Sequence, residues 1–527
     1  MYESLVDDPL EALKARYGTG YRLRAMLTVM LGTLSVLLAS TMINVAIPQM
    51  MTTFHVAQTE AQWLVTGFLA CMTASMLASA WFLREFGQRG SYVICIGLFA
   101  LAAVLGGLSS NFWLLVLSRC LQGAMAGVIQ PLGIITIYKL YPPEKRGTGM
   151  GIYGLGVILG PALGPALGGG LVDAFGWQSI FFASLPIAAL ALVMALRYMP
   201  KAPANQKPMP LDILGLIILL AAILGLLWAF SNGKMWGWSH PAILFAFAVA
   251  LLGGLSFIWR CKTTAHPLVH LDVFNAPGVW SCTLITLCLG ASLYGSTYLI
   301  PLFSQQILHF TPTESGLLLM PAGIASALMF PVAGVLADRL PPYLSIMLGM
   351  LLFALSCLLF ALIDQTAVFL WLVTIAIIGR VGISLIFPAL NTGTLRLLPA
   401  QMLASGAALF SFIRQLGSAV GVNGVSIWLD WRQHLHHSQL QQGNAEQLWN
   451  NALSHYVYSW FTGHEQLQML CQQDCSSQLN QLLPDMLGFS DSFLSMMLIA
   501  LLILIPAWRL RTHIQPRPRV EAVVSNG

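Results

Sequence analysis

Residues 154–186 read GLGVILGPALGPALGGGLVDAFGWQSIFFASLP, and the spacing of their glycines decides the fold. Gly156, Gly160, Gly164 and Gly168 recur every fourth position. On a helix they share one face and leave it without side chains, so a second helix can approach to backbone contact, as helices do in lipid. Pro161 and Pro165 each remove an amide hydrogen from the same helix and permit a bend. Two readings stay open at this level. The stripe is either a plain packing seam or part of a bendable span in a machine that rocks one helix bundle against another.

The rest of the chain puts this helix in a membrane. The 527 residues are 57% hydrophobic and 9% charged, with a mean hydropathy of +0.75, more apolar surface than a water-soluble domain can hide. Apolar runs centre near residues 37, 71, 100, 124, 158, 187, 221, 250, 289, 324, 353, 379, 415 and 500. Each is long enough to cross ~30 Å of hydrocarbon. They predict an all-α polytopic membrane protein of fourteen transmembrane helices, with both termini on one side. Placing the N-terminus in the cytoplasm puts twenty of the 25 Lys and Arg on inner segments and only Lys234 and Arg432 outside, as the positive-inside bias requires. The first 24 residues are polar and charged, and the first apolar run is already membrane-length, so no cleavable secretion signal is expected.

The expected organisation is a cytoplasmic tail at 1–24, a six-helix bundle at 25–200, and a linker with two extra helices at 201–277. A second six-helix bundle follows at 278–509, including an outward loop at 430–490, and the chain ends in a cytoplasmic tail at 510–527. Arg119 with Pro131 in the fourth span echoes Arg380 with Pro388 in the twelfth. The loop WFLREFGQRGS after the second span echoes GVLADRL, residues 334–340, after the tenth. Both echoes point to two related halves.

Three arginines, Arg119, Arg380 and Arg414, fall inside spans. Each costs about 3 kcal/mol at a helix centre unless it faces protein or water, so each is a candidate for binding or proton transfer. The competing reading is that it caps carbonyls of a neighbouring helix. None of the 20 carboxylates falls in mid-span: Glu60, Asp173, Glu314 and Asp364 are read at outer helix ends, Asp212 and Asp338 at inner ones. Asn44, Thr66, Gln122, Gln130, Asn391 and Gln415 offer sparse polar contacts to a central cavity among Phe, Met and Trp, or else bond neighbouring helices.

These stretches resemble the major facilitator superfamily. The glycine–proline segment resembles its fifth-helix antiporter motif, and the WQSIFFASLP tail resembles the fourteen-helix EmrB/QacA drug exporter branch. RCLQGAMAGVIQP, with Arg119, Gln122, Gly123, Gly127 and Pro131, resembles the fourth-helix arginine motif that the family uses in proton transfer. FIRQLGSAVGV, with Arg414, Gln415, Gly417 and Gly421, resembles its helix 13. LASTMINVAIP, residues 38–48, resembles its first helix: Thr41, Asn44 and Pro48 are kept, but Ala39 stands where the family has the aspartate that titrates with the coupling proton. Glu314 is the candidate substitute, at the start of span 10 in an apolar setting expected to raise its pKa; the competing and preferred reading of all these carboxylates is a solvated helix-end role. Of the family's loop motif, the first copy has Ala80 and Arg84 in place of glycine and aspartate but keeps Gly87, whereas the second keeps Gly334, Asp338 and Arg339. The resemblance implies a cytoplasmic latch made by Asp338 and Arg339.

The implied function is secondary transport: export of amphipathic drugs or toxic metabolites across a bacterial inner membrane by alternating access, coupled to protons. One alternative is export of an anionic metabolite, suggested by three span arginines without a mid-span acid. Another is a transport-inactive sensor or scaffold, suggested by Ala39. Expected partners are a small-molecule substrate, protons, the lipid bilayer and, through the outward loop, a periplasmic adaptor and an outer-membrane channel; no nucleic acid is expected. No GxxxxGK[ST] loop and no nucleophile–base constellation occur, so neither ATP drive, enzyme activity nor a cofactor is expected. His434, His436 and His437 lack acidic or cysteine neighbours in sequence and are not read as a metal site. Cys471 and Cys475 are candidates for a disulfide if their loop reaches an oxidising periplasm, and the other seven cysteines are read as packing residues.

Overall fold

The structure is a computed structural model that describes residues 13, 15–201, 210–363, 368–441 and 477–512. Cys471, Cys475, Asp364, most of the outward loop and both tail ends lie outside the described residues. What is described is helical. The helices are α1 (Tyr21–Phe54), α2 (Trp63–Met76), α3 (Ser79–Gly107), α4 (Phe112–Leu140), α5 (Arg146–Phe175) and α6 (Ser179–Tyr198). After them come α7 (Ile213–Trp236), α8 (Pro241–Thr263), α9 (Val279–Gln306), α10 (Pro312–Arg339), α11 (Pro342–Ala361), α12 (Phe369–Arg396), α13 (Leu403–Gln441) and α14 (Ser477–Leu502). Helix is the form these sequences must take in hydrocarbon, where no water satisfies a free backbone amide.

Thirteen helices among the described residues are individually long and apolar enough to cross a membrane. The second span is the exception because it is broken. α2 has 14 residues, and the helix resumes at Ser79 after a turn at Leu77 and Ala78. A second break falls at Gly87, whose φ of 65° and ψ of −177° suit glycine and few other residues. Residues 79–86 therefore complete the second span and 88–107 form the third. Counted this way, fourteen crossings are present among the described residues.

Two bundles follow from the packing. In the first, α1 packs on α5 and α6, and α4 packs on α2 and α3; in the second, α9 packs on α13, and α12 on α10 and α11, with α14 against α11 and α13. The extra helices α7 and α8 pack on each other, and α7 also touches α2. Asp212 accepts from the Gly215 amide at 2.9 Å, capping α7, and pairs with Arg260 at the end of α8 at 2.7 Å. The bundles meet mainly along α5 and α10.

The segment read as an outward loop from 430 is helical as far as Gln441, and helix resumes at Ser477. At 1.5 Å per residue, the 39 residues of α13 run well past a ~30 Å hydrocarbon core. Arg432, placed in that loop by the sequence reading, is instead buried within α13.

Candidate functional site: buried arginines and the seam between bundles

The glycine stripe of α5 does not face the other bundle. A side chain at Gly156 would meet Met30, one at Gly160 would meet Leu37, one at Gly164 would meet Thr41, and one at Gly168 would meet Met42. All four neighbours belong to α1, in the same bundle. Thr41 Oγ1 donates to the Gly160 carbonyl at 3.4 Å, and the helix runs continuously through Pro161 and Pro165. Of the two readings left open by its spacing, the stripe is thus the packing seam of one half and not the surface between the two. The second bundle repeats the device, with Gly417 and Gly421 of α13 against Leu287 and Ala291 of α9.

Leucine at Gly160 is expected to destabilise the folded protein by about 1–3 kcal/mol, because α1 backbone lies where its side chain must go. Thermal unfolding followed by size-exclusion fluorescence checks this against Gly170→Ala. At Gly170 an added Cβ meets no atom within 4 Å, and that variant should be unchanged.

The surface between bundles uses other glycines. A Cβ on Gly151 would lie 2.7 Å from the Gly334 Cα, and one on Gly147 would lie 2.6 Å from the Gly334 carbonyl oxygen. Here α5 and α10 touch backbone to backbone. Asp338, one turn beyond Gly334, accepts from the Gly147 amide, the Thr148 amide and the Thr148 hydroxyl, each at 2.7 Å. A carboxylate on the exposed amides of a helix N-terminus makes charge-assisted bonds and meets the positive end of the helix dipole. Arg339, expected beside it in a latch, is exposed. Gly147 and Thr148 supply the partner side, which the sequence reading missed. Arg146, just before them, stacks over Tyr138 at 3.9 Å and donates to its carbonyl at 3.1 Å.

Arg119 is 1% exposed. It donates to the Leu64 carbonyl of α2 and the Ala39 carbonyl of α1, both at 3.3 Å, and to Gln122 Oε1 at 2.8 Å, and it lies over the Phe68 ring at 4.1 Å. Among the described residues, Arg119 Nη2 and Gln122 Nε2 have no hydrogen-bond partner. Two unused donors in a buried place leave room for an acceptor. Arg380 repeats the arrangement in the second bundle: it donates to Thr297 Oγ1 of α9 at 2.6 Å and to the Leu293 carbonyl at 3.5 Å. The echo between Arg119 and Arg380 is thus geometric as well as sequential, since each arginine reaches the first helix of its own half.

Arg414 differs. It lies over Phe387 at 5.2 Å and, with Asn391 and Thr286, lines a cavity of about 10 Å³ closed by Ile134 of the other bundle, room for one water. Asn391 is anchored to its own helix by donating to the Phe387 carbonyl at 2.8 Å. Gln130 is buried beside Tyr153, which donates to its carbonyl at 3.4 Å, while Asn44 is exposed and Gln415 half-buried. The structure therefore joins Arg119 with Gln122 and Arg414 with Asn391, and does not gather all the predicted polar residues in one chamber. A second cavity, about 970 Å³, opens at the end of the molecule that carries the α2–α3, α4–α5 and α10–α11 connections. Its lining mixes apolar and polar side chains and includes Arg84, Lys139, Arg146, Lys201, His266 and His270 together with Asp212.

Glu314 is no substitute for the missing aspartate. It is exposed and belongs to a capping box, accepting from the Thr311 amide at 2.8 Å and the Thr311 hydroxyl at 3.0 Å. No apolar setting surrounds it. The acid that the sequence reading overlooked is Asp491, just past the 430–490 segment and fully buried inside α14. The histidines also gain acidic neighbours: His436 meets Asp491 at 2.7 Å and His437 meets Asp485 at 3.1 Å. Among the described residues no three such groups are placed to hold a metal ion.

Comparison with known proteins agrees with this architecture. The family model described as Major Facilitator Superfamily matches residues 29–422. The multidrug export protein EmrB of Haemophilus influenzae is 27% identical over 79% of this chain and 82% of its own. The lincomycin resistance protein LmrB of Bacillus subtilis is 28% identical over 75% of this chain and 83% of its own. Among solved structures, the proton:xylose symporter XylE superposes with a TM-score of 0.60 at 14% identity, covering 93% of this chain and 96% of that one.

Proposed function

This chain belongs to the Major Facilitator Superfamily, and from that premise we propose that it exports amphipathic organic compounds across a bacterial inner membrane by alternating access. Protons moving inward drive the exchange, and both termini lie in the cytoplasm. The relatives named for multidrug export and lincomycin resistance support the substrate class. The observation that carries the mechanism is the Asp338 cap on α5. It is a compact set of hydrogen bonds between two bundles, held at the basic end that the charge bias assigns to the cytoplasm. Such a contact can be made and broken as a unit while each bundle keeps its own glycine seam, which is what rigid-body rocking requires.

A second reading, export of an anionic metabolite, has its own support. Among the described residues the span arginines have no carboxylate partner, Arg414 borders the cavity between bundles, and cations outnumber the one acid, Asp212, in the lining of the basic-end cavity. Resistance of a pump-deficient host to cationic dyes and to organic acids separates the two. Protection against dyes alone supports the first reading, and protection against acids alone supports the second.

Restoring the family aspartate tests whether the Arg119 network still touches coupling. Ala39 is buried and its carbonyl already accepts from Arg119, so Ala39→Asp puts a carboxylate beside a guanidinium with an unused donor. The pH profile of export should shift, because the new carboxylate titrates beside a cation that favours its charged form. An unchanged pH profile of dye efflux would remove this network from proton coupling.

A further inference from the structure

Three buried groups on α13 and α14 are used by nothing described so far. Asp491 Oδ2 accepts from Arg432 Nε at 2.7 Å and from Arg432 Nη2 at 2.5 Å, and lies 2.7 Å from His436 Nε2. His436 and Asp491 are fully buried and Arg432 is 7% exposed. Replacing such a cluster with apolar residues of similar volume would often leave a protein as stable or more so, so stability is a weak reason for its presence. The tautomer follows from the contacts. An ionised Asp491 presents only acceptors, so Nε2 carries the hydrogen of this contact, and the neutral imidazole then keeps its lone pair on Nδ1. Among the described residues, His436 Nδ1 and Asp491 Oδ1 have no hydrogen-bond partner. Among the described residues, the neutral site thus holds a basic nitrogen without a hydrogen-bond partner, next to a carboxylate that stabilises the cation formed when a proton adds.

Position favours the outer side. Residues 432–436 lie about 45 Å along α13 from its start at the basic end, beyond a ~30 Å hydrocarbon core. The neighbouring charges are already paired. His437 meets Asp485 at 3.1 Å, and Lys234 of α7 meets Asp430 at 2.9 Å. α9 and α11, which also pack against α14, carry no charged side chain.

We propose that Arg432, His436 and Asp491 form the outward-facing proton-binding site of this transporter. A proton from the outer water adds to the His436 Nδ1 lone pair, giving an imidazolium held by Asp491, and returns from the same nitrogen to that water as the pH rises. Imidazole is the ordinary side chain whose charge changes between pH 5 and 8. This inference rests on the proton-exchange reading above and adds to it an outer acid–base group through which the pH of the outer water biases the two bundles.

The test uses the full chain in lipid nanodiscs. The nitrogen NMR signals of labelled histidines, assigned by their loss in His436→Gln, are followed from pH 5 to 8. In parallel, the distance between spin labels at Lys145 and Arg339, both exposed at the basic end, is followed over the same range. Glutamine keeps a donor to Asp491 but does not titrate, and Asp491→Asn serves as a second variant that keeps the volume. The His436 signal should titrate, the label distance should change with the same midpoint, and His436→Gln should reduce that change by about tenfold or more. A His436 signal constant over the range, or a pH response surviving in His436→Gln, overturns the site. If the wild-type ends ignore pH altogether, proton coupling itself fails, while the NMR arm still decides whether the site takes up a proton.

Discussion

Replacing Arg119 with alanine is expected to abolish export, by at least the tenfold that about 1.4 kcal/mol produces, while the protein still inserts and folds. The side chain links α4 to α1 and α2 through two backbone carbonyls, but α4 is also held to α2 by Gly123 and Gly127 packed directly on the backbone of Phe68 and Met72, and α1 is held by its seam with α5. Loss of the guanidinium therefore leaves the bundle its main seam. What disappears is the buried cation with an unused donor, the feature that makes the site responsive to an acceptor. A purely structural arginine would behave differently: its removal would lower the thermal midpoint and the amount of folded protein together with export. Arg119→Lys is expected to rescue little, because an ammonium cannot bridge two carbonyls and Gln122 in the same plane. Efflux of a fluorescent dye, normalised to folded protein in the membrane, measures all three.

Asp338→Asn is expected to hold the transporter open at the basic end and to cut export at least tenfold. Hydrogen bonds to a charged acceptor contribute about 1.5–3 kcal/mol each, and asparagine keeps one acceptor oxygen without the charge that meets the α5 N-terminus. A loss of about 3 kcal/mol would shift the balance of closed to open forms by more than a hundredfold. Labelling of a cysteine introduced at Thr148 by a membrane-impermeant maleimide, applied from the basic side, reports the opening. Thr148→Cys alone stays slow in this reading, since the Gly147 and Thr148 amides still hold Asp338, and becomes fast when combined with Asp338→Asn. Equal rates in the two backgrounds would mean that Asp338 closes nothing.

Much of this architecture was legible because lipid leaves a sequence few choices. Apolar length marked all fourteen spans, the second near residue 71 included, but not the breaks in its helix at Leu77 and Ala78 and again at Gly87. The glycine stripe announced a bare helix face but not its partner. Spacing says which side lacks side chains, whereas α1 occupies it for reasons spread over Met30, Leu37, Thr41 and Met42. The true contact between bundles rests on Gly147 and Gly151 meeting Gly334, short stretches from two distant helices that look unremarkable alone. Glu314 carried a readable warning: Thr311 followed three residues later by glutamate is a capping-box pattern, which points to a helix end rather than a proton carrier. Asp491 and His436 were not legible, because 55 residues separate them and each looks like part of a polar loop until α13 and α14 are seen side by side.

The rocking of two bundles about the α5–α10 seam is tested by spin-label distances at both ends of that pair in one sample. Labels at Lys145 and Arg339 report the basic end, and labels at Asp173 and Glu314, both exposed, report the opposite end. Asp338→Asn should lengthen the first distance and shorten the second. Two distances that lengthen together, or neither changing, would contradict alternating access through this seam.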